Sequence, residues 1–239
     1  MSSDIRPTIV LVHGAWADAS NWSGVIGRLH DDGYTVRAIP NPLRSLPGDA
    51  ASVRAFLQTL PGPVVLVGHS YGGAVITNAA TGLPNIEALV YVNAFALDEG
   101  ETALQAASAD SALSNPDPTQ VFDFVPAGPP TPTTDLYLKR STVLTWFATG
   151  LNAEDQEMVY ATQRPGAFGG LADTSGAPAW KTIPSWYLIG TGDKIIPPDV
   201  QRAMAKRAGS TVTEFDEGHL GLISDPKTTT QVIERAAGS

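Results

Sequence analysis

Val64-Val65-Leu66-Val67-Gly68-His69-Ser70-Tyr71-Gly72-Gly73 joins four consecutive apolar residues to a serine flanked by glycines, and a helix-like stretch, 74–80, follows at once. The apolar run reads as a buried strand. A strand that turns sharply into a helix around one exposed serine leaves no room for a β-carbon at positions 68 and 72, so glycine stands at both. Ser70 itself is expected to take a positive φ, a strain tolerated where it serves a site. The whole stretch reads as a nucleophile elbow, with an ordinary glycine-rich turn as the plainer alternative.

Working outward, short apolar runs alternate with helical patterns. Strands are expected at 9–13, 35–39, 64–69 and 86–92, with helices at 22–30, 50–60 and 74–80 between them. The alternation returns late, as a strand at 185–189, a helix at 199–208, a strand at 211–215 and a last helix at 226–237. Continuous apolar strands separated by helices predict an α/β fold, a mostly parallel sheet of about six strands covered by helices on both faces. Between residues 97 and 181 the pattern breaks into turn-rich segments around Asn115-Pro116-Asp117-Pro118 and 126–134, with helical stretches at 143–149 and 153–162. These boundaries divide the chain into a core, 1–96 and 182–239, and a helical cap insertion, 97–181, placed before the penultimate strand. A cap over the sheet's C-terminal edge would roof an apolar pocket with Phe122, Phe124, Tyr137, Trp146, Phe147, Tyr160 and Phe168.

Composition narrows the classes of function. The chain has 239 residues, 43% hydrophobic, and 24 acidic against 15 basic side chains give a net charge of −9, which argues against a phosphate-tracking nucleic-acid surface. There is no cysteine, so disulfides, thiolate chemistry and a Cys-based zinc site do not enter. No cofactor is expected. Residues 1–8 lack the pattern of a signal peptide, and no run approaches about 18 apolar residues. The expectation is a cytoplasmic protein with no membrane partner, acting on a small molecule.

A serine hydroxyl needs a base, and the base an orienting carboxylate. There are four histidines. His13 ends the first strand, His30 lies on a polar helix end and His69 should point away from its neighbour Ser70, which leaves His219 in Glu217-Gly218-His219-Leu220. The preceding strand ends in Ile189-Gly190-Thr191-Gly192-Asp193, making Asp193 the carboxylate in the order Ser, Asp, His. Asp199 and Asp216 are the alternatives. Two donors are needed for a developing oxyanion. The amide N–H groups of Tyr71 and of Ala15, in His13-Gly14-Ala15-Trp16, are the candidates, although His-Gly there also fits a plain tight turn.

Together, Leu-Val-His-Gly-Ala-Trp at 11–16, Gly-His-Ser-Tyr-Gly-Gly, Gly-Thr-Gly-Asp-Lys and Glu-Gly-His resemble the α/β-hydrolase superfamily, over nearly the whole chain and least in the cap. The likeness is closest to the compact branch containing plant-type methylesterases, pyrethroid-hydrolase-like esterases and hydroxynitrile lyases. It implies a capped parallel sheet, no metal, an acyl-serine intermediate, a triad at Ser70, Asp193 and His219, and oxyanion donors at Ala15 and Tyr71. The similar lyases carry threonine where Gly14 stands and lysine where Leu220 stands, so ester hydrolysis is favoured over cyanohydrin cleavage. Epoxide hydrolases and dehalogenases of this fold would have Asp at the elbow. Trp16, Trp22, Phe95, Trp146, Phe147 and Leu220 are the candidate pocket residues, and Asn93 either contacts substrate or satisfies backbone. Lactone, thioester, amide or C–C bond cleavage on the same triad, and a receptor-like binding module, are the competing readings.

Overall fold

In a computed structural model of the chain, residues 6–238 are described, so residues 1–5 and 239 of the expected core lie outside the description. The central sheet contains β1 (Thr8–Val12), β2 (Val36–Ile39), β3 (Val64–His69), β4 (Ile86–Val92), β8 (Ser185–Gly190) and β9 (Thr211–Phe215). Its order is β2-β1-β3-β4-β8-β9 and every pairing is parallel. Every residue of β3 is buried, and in β4 only Glu87 is exposed, as expected of strands covered on both faces. The strand order reverses between β1 and β3. The loops that leave the C-terminal ends of these two strands therefore diverge and leave a crevice, where open α/β sheets bind ligands. Ser70 and Gly14 stand at that crevice.

Helices α1 (Ser23–Asp31), α2 (Leu46–Leu57) and α3 (Tyr71–Ala79) link the first four strands. Helix α2 begins and ends earlier than the periodicity at 50–60 predicts. The Ser45 side chain accepts a hydrogen bond from Gly48 N–H, and Pro47 fits the first turn, where no intrahelical donor is needed. Helices Pro198–Ala208 and Pro226–Ala237 flank the later strands. No helix among the described residues is long and apolar enough to cross a membrane.

Residues 97–181 are more than helices and turns. Strands β5 (Phe122–Val125), β6 (Asp135–Leu138) and β7 (Gly166–Ala167) form an antiparallel sheet of their own. At two to four residues, they are too short to leave a periodic signal. The expected helix at 143–149 is a short α-turn, Arg140–Thr142, running into a π-helical stretch, Val143–Phe147. Helix Ala153–Thr162 lies where the sequence predicts it. This region is tied to the sheet's edge by Ala167 N–H donating to the Leu43 carbonyl (2.9 Å) and Trp16 Nε1–H donating to the Leu136 carbonyl (2.8 Å).

Candidate active site

Ser70 stands between β3 and α3 with φ 53° and ψ −125°, the strained conformation expected at the elbow. Its neighbours explain the glycines. A β-carbon at Gly72 would lie 2.4 Å from the Val12 carbonyl oxygen, and one at Gly68 would lie 2.6 Å from that of Gly72. The Ser70 carbonyl accepts from Gly73 and Phe95 N–H, fixing the turn from both sides.

The loops after β8 and β9 reach the same point. His219 Nε2 lies 2.9 Å from Ser70 Oγ, and His219 Nδ1 lies 2.9 Å from Asp193 Oδ2, with all three residues buried. Asp193 accepts only, so the imidazole proton sits on Nδ1 and Nε2 is left to accept from the serine hydroxyl. The structure thus brings together the three residues that the sequence reading named. The alternatives fall elsewhere: Asp199 is exposed and pairs with Arg202, while Asp216 accepts from Thr191 Oγ1 at the surface.

The other buried histidines serve the backbone. His69 Nε2–H donates to the His219 carbonyl at 2.9 Å, and burial holds its pKa well below the usual histidine value, so it is neutral. Asn93 does the same work: Nδ2 donates to the Gly218 (2.7 Å) and His219 (3.3 Å) carbonyls and Oδ1 accepts from Gly190 N–H. Of its two expected roles, the backbone one is seen. The His219 ring is held between His69 and Phe147, at centroid distances of 4.8 and 5.2 Å.

His13 is buried, and burial lowers its pKa to about 4. Asn41 N–H donates to Nε2 (2.9 Å), so the proton is on Nδ1 and is donated to the Gly14 carbonyl (2.9 Å). The Gly14 C=O and the Ala15 N–H share one trans peptide plane and point oppositely. Fixing the first therefore aims the second. Ala15 and Tyr71 both line the cavity above Ser70, and the Tyr71 side chain is anchored by its hydroxyl donating to buried Asp49 (2.8 Å).

That cavity, of about 250 Å³, contains no charged residue in its lining. Trp16 and Phe95 line it as expected, and so do Phe122, Phe124 and Phe168. Four of the expected pocket residues do not. Trp22 is fully buried, edge-on to His69; Phe147 packs on the back of His219; Leu220 is in the core; and Trp146 is 42% exposed on the outer surface. The three buried residues fill the core behind the site, as apolar side chains can do equally well, whereas Trp146 falls on the solvent side of its π-helical stretch. Tyr137 and Tyr160 also lie outside the lining. Residues missed by the sequence reading include Leu104, Leu113 and Asn115, which come from a segment with no aromatic signal.

Fold and site together define a class: a parallel α/β protein that presents a histidine-contacted serine at the C-terminal edge of its sheet. The model of the alpha/beta hydrolase family matches residues 9–232, and the chain belongs to that family. It is 28% identical to an alpha/beta hydrolase of Aspergillus novofumigatus, over 98% of each chain. It is also 28% identical to methylesterase 18 of Arabidopsis thaliana, over 96% of this chain and 97% of that one. Among solved structures, a pyrethroid hydrolase of Sphingobium faniae superposes with a TM-score of 0.77 over 98% of both chains at 20% identity, a likeness of fold.

Proposed function

We propose that the protein is a serine esterase that cleaves carboxylic esters of small to medium, uncharged, apolar substrates through an acyl-serine intermediate. The observation that carries this reading is the unbroken hydrogen-bond chain from Ser70 Oγ through His219 to Asp193, each link 2.9 Å. His219 takes the hydroxyl proton as Ser70 attacks the ester carbonyl, and Asp193 stabilises the imidazolium that forms. The Ala15 and Tyr71 N–H groups receive the oxyanion. His219 then returns the proton to the leaving alkoxide, and water, activated by the same imidazole, releases the acid.

Residues 97–181 act as a cap in this reading. They supply most of the uncharged walls of the cavity, including Leu104, Leu113, Phe122, Phe124 and Phe168. A neutral apolar group gains by displacing water there, whereas a charged one loses its hydration without a partner. The names of the methylesterase and pyrethroid hydrolase relatives agree with an ester substrate. Two positions speak against cyanohydrin cleavage: Leu220 is a buried apolar residue with no cation to offer, and a β-carbon at Gly14 would lie 2.6 Å from Ser70 Cβ.

The test is a panel of p-nitrophenyl esters, lactones and thioesters with the parent enzyme and Ser70→Ala. Simple apolar esters are expected to turn over repeatedly, and Ser70→Ala to lose on the order of 10⁶ in kcat. Equal rates for the two proteins would end the reading. Tight binding of an ester with a single turnover would favour a receptor-like module instead.

A further inference from the structure

Helix Pro198–Ala208 carries a glutamine, Gln201, that is fully buried beside Asp193. Its amide nitrogen donates to Asp193 Oδ2 at 2.9 Å, the same oxygen that receives His219 Nδ1–H, and to the Ile196 carbonyl at 2.7 Å. Both neighbours are acceptors, so only the nitrogen can face them, and both of its protons are used. The amide oxygen, buried in the same place, has no partner among the described residues. A helix-filling role would be met more cheaply by leucine or methionine, which leave no buried polar atom unsatisfied.

Asp193 Oδ1 accepts from Ile195 and Ile196 N–H, at 2.8 and 3.0 Å. Among the described residues the carboxylate therefore has four donors, and Gln201 is the one side-chain donor besides His219. The ionisable groups around it are His219, the buried Tyr187 hydroxyl on β8, which donates to the Ala94 carbonyl, and the exposed Lys194. No cation bonds to it among the described residues.

We infer that Gln201 is a positioning residue of the triad: it pins Asp193 Oδ2 at hydrogen-bond distance from His219 Nδ1. The inference rests on the esterase reading for its kinetic consequence but not for its structural one. Removing a neutral donor from a charged acceptor is worth about ten- to a hundredfold in rate when the acceptor's position matters. Gln201→Leu, counted per active site by phosphonate titration, is therefore expected to lose at least tenfold in kcat with KM nearly unchanged. Gln201→Met keeps the length of the side chain without its donor and is expected to lose as much.

A side chain that only packs the helix would lower thermal stability in both variants and leave these readouts alone. A normalised kcat within twofold of the parent in either variant overturns the inference. One readout needs no substrate. The low-field proton resonance of the His219 Nδ1–H group, identified by its loss in His219→Ala, is expected to shift in Gln201→Leu. If it stays in place, Gln201 does not position Asp193, whatever reaction the site performs.

Discussion

Single residues decide whether the serine can sit where it does. Gly72 has the Val12 carbonyl oxygen 2.4 Å from where a β-carbon would be, and backbone cannot swing aside as a flexible side chain can. Gly72→Ala is therefore expected to cost more than about 3 kcal/mol of stability, the range of severe overpacking, and to give little soluble protein. At Gly14 a β-carbon would meet Ser70 Cβ at 2.6 Å, the His69 carbonyl oxygen at 2.9 Å and Ser70 Oγ at 3.2 Å. Gly14→Ala is therefore expected to lower stability, though less than Gly72→Ala, and to lose activity in the protein that folds, since the nucleophile must move. A circular dichroism melt beside an ester assay separates the two, and a fully active Gly14→Ala would contradict the proposed attack geometry. At this scale the sequence was most legible. Serine, aspartate and histidine could be picked from a strand–turn–helix pattern, a glycine-flanked strand end and a short list of histidines. Gln201 could not, because a lone glutamine in an amphipathic helix carries no signal until the carboxylate it touches is located.

Elements were legible where the chain obeys one period over enough residues. Strand β4 and helix Pro226–Ala237 fall where apolar continuity and helical spacing place them. Helix α2 is shifted because its ends answer to capping at Ser45 rather than to the apolar face. Ser45→Ala is expected to lower stability by about 1 kcal/mol, read as an earlier urea midpoint at unchanged m-value. An unmoved midpoint would show that the cap contributes nothing. The β5-β6-β7 sheet was not legible, since each strand is short and its partners are set by tertiary packing. The same holds for the pocket. Phe147 and Trp146 are adjacent in a π-helical stretch, yet one backs the His219 ring and the other faces solvent. Phe147→Ala is accordingly expected to reduce kcat more than it raises KM, because it loosens the imidazole and removes nothing from the cavity lining.

Besides His219, the molecule carries two buried neutral histidines, and they make its stability depend on pH. His13 has its pKa lowered from 6.5 to about 4 by burial, and His69 is lowered for the same reason. In the unfolded chain both take up a proton near the ordinary value, so below it the unfolded state binds more protons than the folded state. Stability is thus fully present above pH 6.5 and falls as the pH drops towards 4. For His13 alone the loss is roughly 3 kcal/mol, from 1.36 kcal/mol per pH unit. Asp49, whose pKa burial raises, works in the opposite direction at the acid end. A urea midpoint that does not fall between pH 7 and pH 4.5 would contradict this, and His13→Gln should flatten the fall. All of these effects converge on one assembled unit. Three side chains distant in sequence meet at the end of β3, and the proposed mechanism has them make one hydroxyl reactive. The most direct measurement is peptide mapping after treatment with a p-nitrophenyl phosphonate: the adduct is expected on Ser70 alone, with release of one nitrophenolate per chain and no labelling in His219→Ala. Continued ester turnover with Ser70 unmodified, or equal labelling in His219→Ala, would contradict the account.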